Sequence, residues 1–511
     1  MRNHRAAVTC VVALLLVGFD QAEVPQVDWE MTARIREEGF QRSQLADTLS
    51  YMTDVLGARL TVSPGMRRAQ RWAIGEMERI GLANIEIEPF MDYGISWSND
   101  YVSLHLLEPD YQPMVGYPLS HTPGTNGALQ LQVVIADVRT RRELERLRDT
   151  LNGKAVLSTP PPVIDLARIN AGVPRLNEAD LRDLEQPAAP RPPQPAPNPD
   201  ILSEGERMAF FKAEGVDVVL RSSTGTGRPG VVGGASRPGT RVDHWGRQES
   251  LDSLPIVALT PEHYNRMYRV IQRGIDVRIE VDVRNTIGDE MQQAANVLGE
   301  IPGSDLADQV VMLGAHFDTW HASPNASDNT SGVAVMLEAA RILTALDVHP
   351  RRTIRLALWS GEEQGLFGSR AYVKKHFGDP DDPEVGVSAA YTLFSVYFNQ
   401  DYGVGKFRGV YLQGNEHVRR MFTAWMEPFR DLGMTTLSPR SVGSTDHVPF
   451  DAAGLPAFQF LQDRAGGTAG HTNLDFFDTL PIEDLKHNAV IVAAFVYHAA
   501  MSDEPVPRKG R

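Results

Sequence analysis

The chain has 511 residues, 42% of them hydrophobic and 23% charged, with a formal net charge of −15. That length exceeds one small core and calls for two domains or more. The acidity argues against nucleic acid and against an anionic membrane surface as partners.

The first five residues carry Arg2 and Arg5, 6–19 is almost wholly apolar, and Asp20-Gln21-Ala22 turns polar at a small residue. This is the order of a secretory signal, with cleavage expected after Ala22; the apolar run is short for a membrane span. The expected product is exported, periplasmic or extracellular, without stable membrane insertion. It would lose Cys10, the only cysteine, and with it cysteine nucleophiles, thiol ligands and disulfides.

Residues 29–50 have apolar positions at helical spacing, and 66–80 form a second amphipathic run stopped by Gly81. Residues 84–89 alternate as a strand does. Short strands are expected at 128–137, 154–158, 254–259 and 277–283, with helical runs at 140–151 and 206–214. Residues 159–200 are rich in proline, most densely over 187–199, which predicts an extended and loosely ordered excursion. The glycines over 225–239 lack the lysine–serine pair of a phosphate loop and predict a loop instead. Past Asn296, apolar strands alternate with helices near 332–346, 366–376, 416–431 and 482–501, a pattern of strands buried on both faces. The expected divisions are a signal at 1–22, a first catalytic part at 23–119, an inserted mainly β block at 120–285, and a second catalytic part at 286–511 that carries the site.

Residues 310–368 concentrate the chemistry. An apolar run ends in His316 and Asp318, a loop delivers Asp328 into Ser331-Gly332, and a second apolar run ends in Glu362-Glu363. Strand ends are where open α/β sheets gather reacting groups, and mixed imidazole and carboxylate donors suit a divalent metal such as zinc. His316 is assigned as a ligand, with Asp318 orienting its ring. Asp328 can offer one oxygen to each of two ions, although an aspartate before a helix also serves as a cap. Adjacent glutamates point in different directions, so Glu363 is assigned as a ligand and Glu362 as general base. Two further ligands must lie downstream, and Asp401 and His471 are the candidates; Asp446 and His447 fall to the substrate side. Asp379, Asp381 and Asp382, in a DPDDP run, read as a solvated turn.

The series GAHFDTW, SDNTSG, SGEEQGLFGS, YFNQD, STDHVPF and GHTNLDFFDTL resembles the co-catalytic zinc exopeptidases of the aminopeptidase and carboxypeptidase Q type. The resemblance implies a mixed eight-stranded sheet sandwiched by helices, interrupted by an inserted protease-associated domain. It also implies two zinc ions per chain, one on His316, Asp328 and Asp401 and the other on Asp328, Glu363 and His471, with Glu362 as base. Gln400 departs from the family pattern, which has a small apolar residue there. The implied activity is hydrolysis of terminal peptide bonds of peptides or dipeptides through a metal-bridged hydroxide, amino-terminal attack being slightly favoured; assembly into a homo-oligomer is left open. The alternatives are a non-catalytic receptor on the same scaffold and a single-zinc glutaminyl cyclase.

Overall fold

The computed structural model describes residues 27–163, 175–190, 192–193, 198–223, 251–379, 382, 384–401, 405–463 and 469–510. The expected signal at 1–22 and the glycine-rich run 225–239 lie outside them.

Among the described residues the principal strands, in chain order, are β1 (Ala83–Glu108), β2 (Gly116–Pro118), β3 (Leu129–Ile135), β4 (Ala155–Leu157), β5 (Val218–Ser222), β6 (Ile256–Leu259) and β7 (Arg278–Ile301). They continue with β8 (Leu306–His316), β9 (Arg352–Trp359), β10 (Phe394–Asn399), β11 (Phe407–Tyr411), β12 (Thr436–Ser438) and β13 (Ala457–Gln462). One half of the sheet runs β12-β11-β13-β10-β8-β9-β7, with β1 on the far side of β7. These eight strands are the mixed sheet expected for the catalytic part. β8, β9, β10 and β13 run parallel to one another in that centre, and their C-terminal halves are mostly apolar and buried, as a sheet covered on both faces requires.

Two helices cover one face. Ser331–Ala345 (α1) and Ile482–Met501 (α2) are buried almost throughout, which explains sequences apolar nearly all round rather than striped. Trp359, Tyr372, Phe377 and Phe450 form the core on the opposite face. The fold is therefore an α/β sandwich with a large mixed sheet.

The sheet does not end with eight strands. β1 has 26 residues and β7 has 24, and they pair along most of that length. The C-terminal end of β7 pairs with β9, whereas its N-terminal end pairs with β3. From there the order continues β3-β4-β5-β6-β2, around a second core that includes Leu104, Leu131, Leu157, Leu220, Val257 and Tyr264. β3 to β6 are parallel, which demands crossovers, and the helices Arg141–Glu145 and Glu204–Ala213 lie in two of them. The block expected to be mainly β thus carries more helix than its strand pattern suggests. The charged run expected to be helical over 140–151 is helical only at Arg141–Glu145.

The proline-rich excursion also departs from expectation. Its described portion contains a helix, Glu178–Leu184, closed by a capping box between Asn177 and Asp180. Ser438 Oγ donates to the Leu184 carbonyl at 2.5 Å and Arg440 Nε to the Gln186 carbonyl at 2.8 Å. Arg175 Nη1 reaches Asp484 at 2.6 Å and Asp463 at 3.2 Å. The anchoring groups are more than 250 residues away in sequence, so local composition could not reveal them. No described helix is long and apolar enough to cross a membrane.

Candidate metal centre

β8 ends at His316, β9 stops just short of Glu362, and β10 just short of Asp401. Because these strands are parallel and adjacent, their carboxyl ends share one edge of the sheet. The chain turns after β9 through Gly361, whose φ of 76° lies where a side chain is strained, and this aims the two glutamates back at β8. Asp328 arrives on the loop leading into α1, and His471 on the loop preceding α2.

Two trios of donor atoms result, each within 4.8 Å of one another: His316, Glu362 and Asp401, and Asp328, Glu363 and His471. Asp328 joins them. Its Oδ1 lies 3.2 Å from His316 Nε2, and its Oδ2 lies 2.9 Å from His471 Nε2. Asp401 Oδ1 is 3.2 Å from His316 Nε2, Glu362 Oε2 is 4.0 Å from it, and Glu363 Oε2 is 2.9 Å from His471 Nε2. Ligands on a tetrahedral zinc, each roughly 2.0–2.2 Å from the ion, sit about 3.3 Å apart. The observed spacings fit that cage, as does a donor set of carboxylates and imidazoles. One oxygen of Glu363 is buried with no hydrogen-bond partner, which an ion would remedy.

The electrostatics point the same way. Burial opposes charging of His316, but Asp401 and Glu362 beside it and hydrogen bonds to Asp328 and Asp401 outweigh it and push its pKa well up. Burial likewise disfavours His471 as a cation, yet Glu363 and Asp328 raise it to about 10. Burial pushes Glu362 well above the usual carboxylate range despite the nearby His316, with Asp401, Glu363 and Asp446 adding to the rise. Without metal, protons supply the positive charge that the carboxylates demand.

Asp318 is fully buried but does not hold the imidazole through its carboxylate. The His316 ring nitrogen Nδ1 faces the Asp318 backbone carbonyl at 2.9 Å, while the carboxylate stands 3.9 Å away. That carboxylate instead accepts the amides of Glu362 at 3.1 Å and Glu363 at 3.3 Å, and the Thr61 hydroxyl at 3.2 Å. It thereby fixes the turn that presents both glutamates. Asp446 accepts from Ser369 Oγ at 2.5 Å, and burial raises its pKa to about 7, as do Asp401 and Asp318. His447 points Nε2 at the Val442 carbonyl, 3.1 Å away, and belongs to neither trio. Asp379 and Asp382 are also outside both trios, and Asp381 lies outside the described residues.

Three supports were not anticipated from sequence. Asp475 accepts the Ser327 amide at 2.9 Å and its hydroxyl at 2.8 Å, tying the His471 loop to the Asp328 loop. Thr61 bonds both Asp318 and Gln364. Arg59 is wholly buried beneath the site. Asp475 had a signal, since it falls in the GHTNLDF series; Arg59 and Thr61 sit in a turn-rich link whose spacing says nothing of burial.

A parallel sheet edge with acidic and imidazole cages defines a class, and this chain is a zinc-dependent metallo-exopeptidase. Residues 296–496 match the model of Peptidase family M28. Carboxypeptidase Q of Mus musculus is 23% identical over 471 residues, covering 90% of this chain and 87% of that one. Among solved structures, a Peptidase M28 precursor from Shewanella amazonensis SB2B superposes with a TM-score of 0.68 at 22% identity, covering 94% of this chain and 99% of that one. BSAP, a zinc aminopeptidase from Bacillus subtilis, gives a TM-score of 0.58 at 19% identity, covering 91% and 97%. At these identities the structures establish the fold.

Proposed function

We propose that this chain is a di-zinc exopeptidase that hydrolyses the terminal bond of short peptides outside the cytoplasm. One ion would be held by His316, Asp328 and Asp401, the other by Asp328, Glu363 and His471, with Glu362 left as general base. The single observation that supports this most is Asp328, which turns one oxygen to each histidine. Zinc in these cages would polarise the scissile carbonyl and make nearby water more acidic. Glu362 then accepts the water proton and returns it to the leaving amine, a role suited to a carboxyl whose proton affinity burial has raised. Asp318 holds the Glu362 amide, and so the direction of that carboxyl. The signal-like order of residues 1–22 supports export.

Amino-terminal attack is favoured by the charge of the pocket. Asp318, Asp328, Glu362, Glu363, Asp401, Asp446 and Asp475 are all buried around the site, and two divalent ions with Arg59 leave them formally in excess. The charges acting most strongly on the trios are carboxylates and imidazoles, with no lysine or arginine among them. Such a pocket attracts a substrate ammonium and repels a carboxylate. Carboxy-terminal attack is the second reading, supported by similarity to carboxypeptidase Q across most of the chain. Dipeptides blocked at one end decide between them. N-acetylation should abolish turnover and C-amidation should spare it; the opposite pattern assigns a carboxypeptidase.

A further inference from the structure

The N-terminal segment contributes a fully buried cation to a site whose candidate ligands all come from residue 316 onward. Arg59 is 0% exposed, and each branch of its side chain has a partner. Nε donates to the Phe317 carbonyl at 2.8 Å, Nη1 to the Gly57 carbonyl at 2.9 Å, and Nη2 to Thr330 Oγ1 at 2.7 Å. Its backbone is zipped to the same loop: the Arg59 amide donates to Thr319 Oγ1 at 2.8 Å, and the Thr319 amide to the Arg59 carbonyl at 3.1 Å. Phe317 follows His316 directly, and Thr330 lies two residues beyond Asp328. One planar guanidinium therefore spans the roots of both loops that bring His316 and Asp328 together.

We infer that Arg59 is a positioning residue for the metal centre: it fixes the spacing of His316 and Asp328, and so lets Asp328 serve both trios at once. The inference rests on the di-zinc reading above. A lysine in its place offers one compact donor head and cannot span three acceptors in a plane. A positive charge with no carboxylate bonded to it is otherwise an unfavourable thing to bury beside a cation site, since it repels the incoming ion. Although burial lowers its pKa to about 10, Asp318 and Asp475 oppose the shift, and it stays charged at neutral pH.

Repulsion and positioning make opposite predictions. If Arg59 acted only through its charge, Arg59→Met would bind zinc more tightly, and Arg59→Lys would bind it as the unmodified protein does. If it positions the ligands, both variants lose affinity for the second zinc equivalent by at least tenfold and lose less for the first. The experiment titrates the metal-free full chain with zinc against a chromophoric chelator, and records the melting temperature with and without zinc. A merely structural arginine would lower both melting temperatures alike; a positioning one also shrinks the rise that zinc produces. Thr330→Val, which removes one acceptor and leaves the charge, supplies a milder variant if the others fold poorly, and should weaken the second equivalent in the same direction. Tighter or unchanged zinc binding in Arg59→Lys and Thr330→Val overturns the role of Arg59 while leaving the di-zinc reading intact. Failure of the unmodified protein to take up two equivalents overturns both.

Discussion

Glu362 and Glu363 are adjacent in sequence and differ in what faces them: Glu363 has His471 2.9 Å away, and Glu362 has His316 at 4.0 Å with Asp446 behind it. Glu362→Gln should therefore keep both zinc ions, measured by elemental analysis, and lose about 10²–10⁴-fold in kcat, the usual worth of a general base; full turnover would exclude Glu362 from that role. Asp318→Asn leaves one acceptor too few for the Glu362 amide, the Glu363 amide and the Thr61 hydroxyl. Its activity should fall about 10–100-fold, the scale seen when ligand supports are removed, with kcat falling more than KM rises. The histidines set the pH dependence of metal uptake. Without zinc, burial disfavours the charged form of His471, but Glu363 and Asp328 hold its pKa near 10, so at pH 7 it carries a proton that must leave before the nitrogen can bind. Zinc affinity should then rise with pH, by roughly tenfold per unit for each proton released. Calorimetry in buffers of different ionisation heat would detect that proton, and its absence would argue against His471 as a ligand.

At the scale of elements, the excursion is anchored where composition predicted a loose tether. Its anchors include Asp463, just past β13, Asp484, in α2, and Ser438, the last residue of β12, with Arg440 just beyond it. Asp463 is buried and accepts from Arg175, Arg408 and the Leu176 amide. Arg175→Ala removes one of these partners and also frees Asp484, at a cost of about 1 kcal/mol because the arginine is half exposed. A small fall in the urea midpoint with unchanged kcat is expected; lost activity would mean that the excursion shapes the site. The β1–β7 ribbon is the other element with a double task, since it closes the catalytic sheet at one end and opens the second core at the other.

For the whole molecule, two ions that bind the folded state alone should raise its stability by mass action, about 4 kcal/mol per site at a free zinc concentration a thousand times the dissociation constant. Chelation should lower the melting temperature and added zinc restore it, with the loss largest in variants of Asp328. Within the catalytic part, the α2 helix was legible to its ends at 482–501 and α1 to within a residue, because apolar runs bounded by turn signals report local geometry. The candidate site was legible for a related reason: His316, Asp328, Glu362, Glu363, Asp401 and His471 stand at strand ends and in loops whose neighbouring residues carry the motif. What lay beyond the sequence was the set of supporting hydrogen bonds between distant segments. Arg59 reaching Thr330, Asp475 holding Ser327, the Asp318 carboxylate turning to the glutamate amides, and a capped helix docking on β12 depend on which partners meet after folding. Local propensity and spacing act over a few residues, so they determine which elements form; the partner of a buried polar group is decided only when packing excludes water and leaves that group one place to bond.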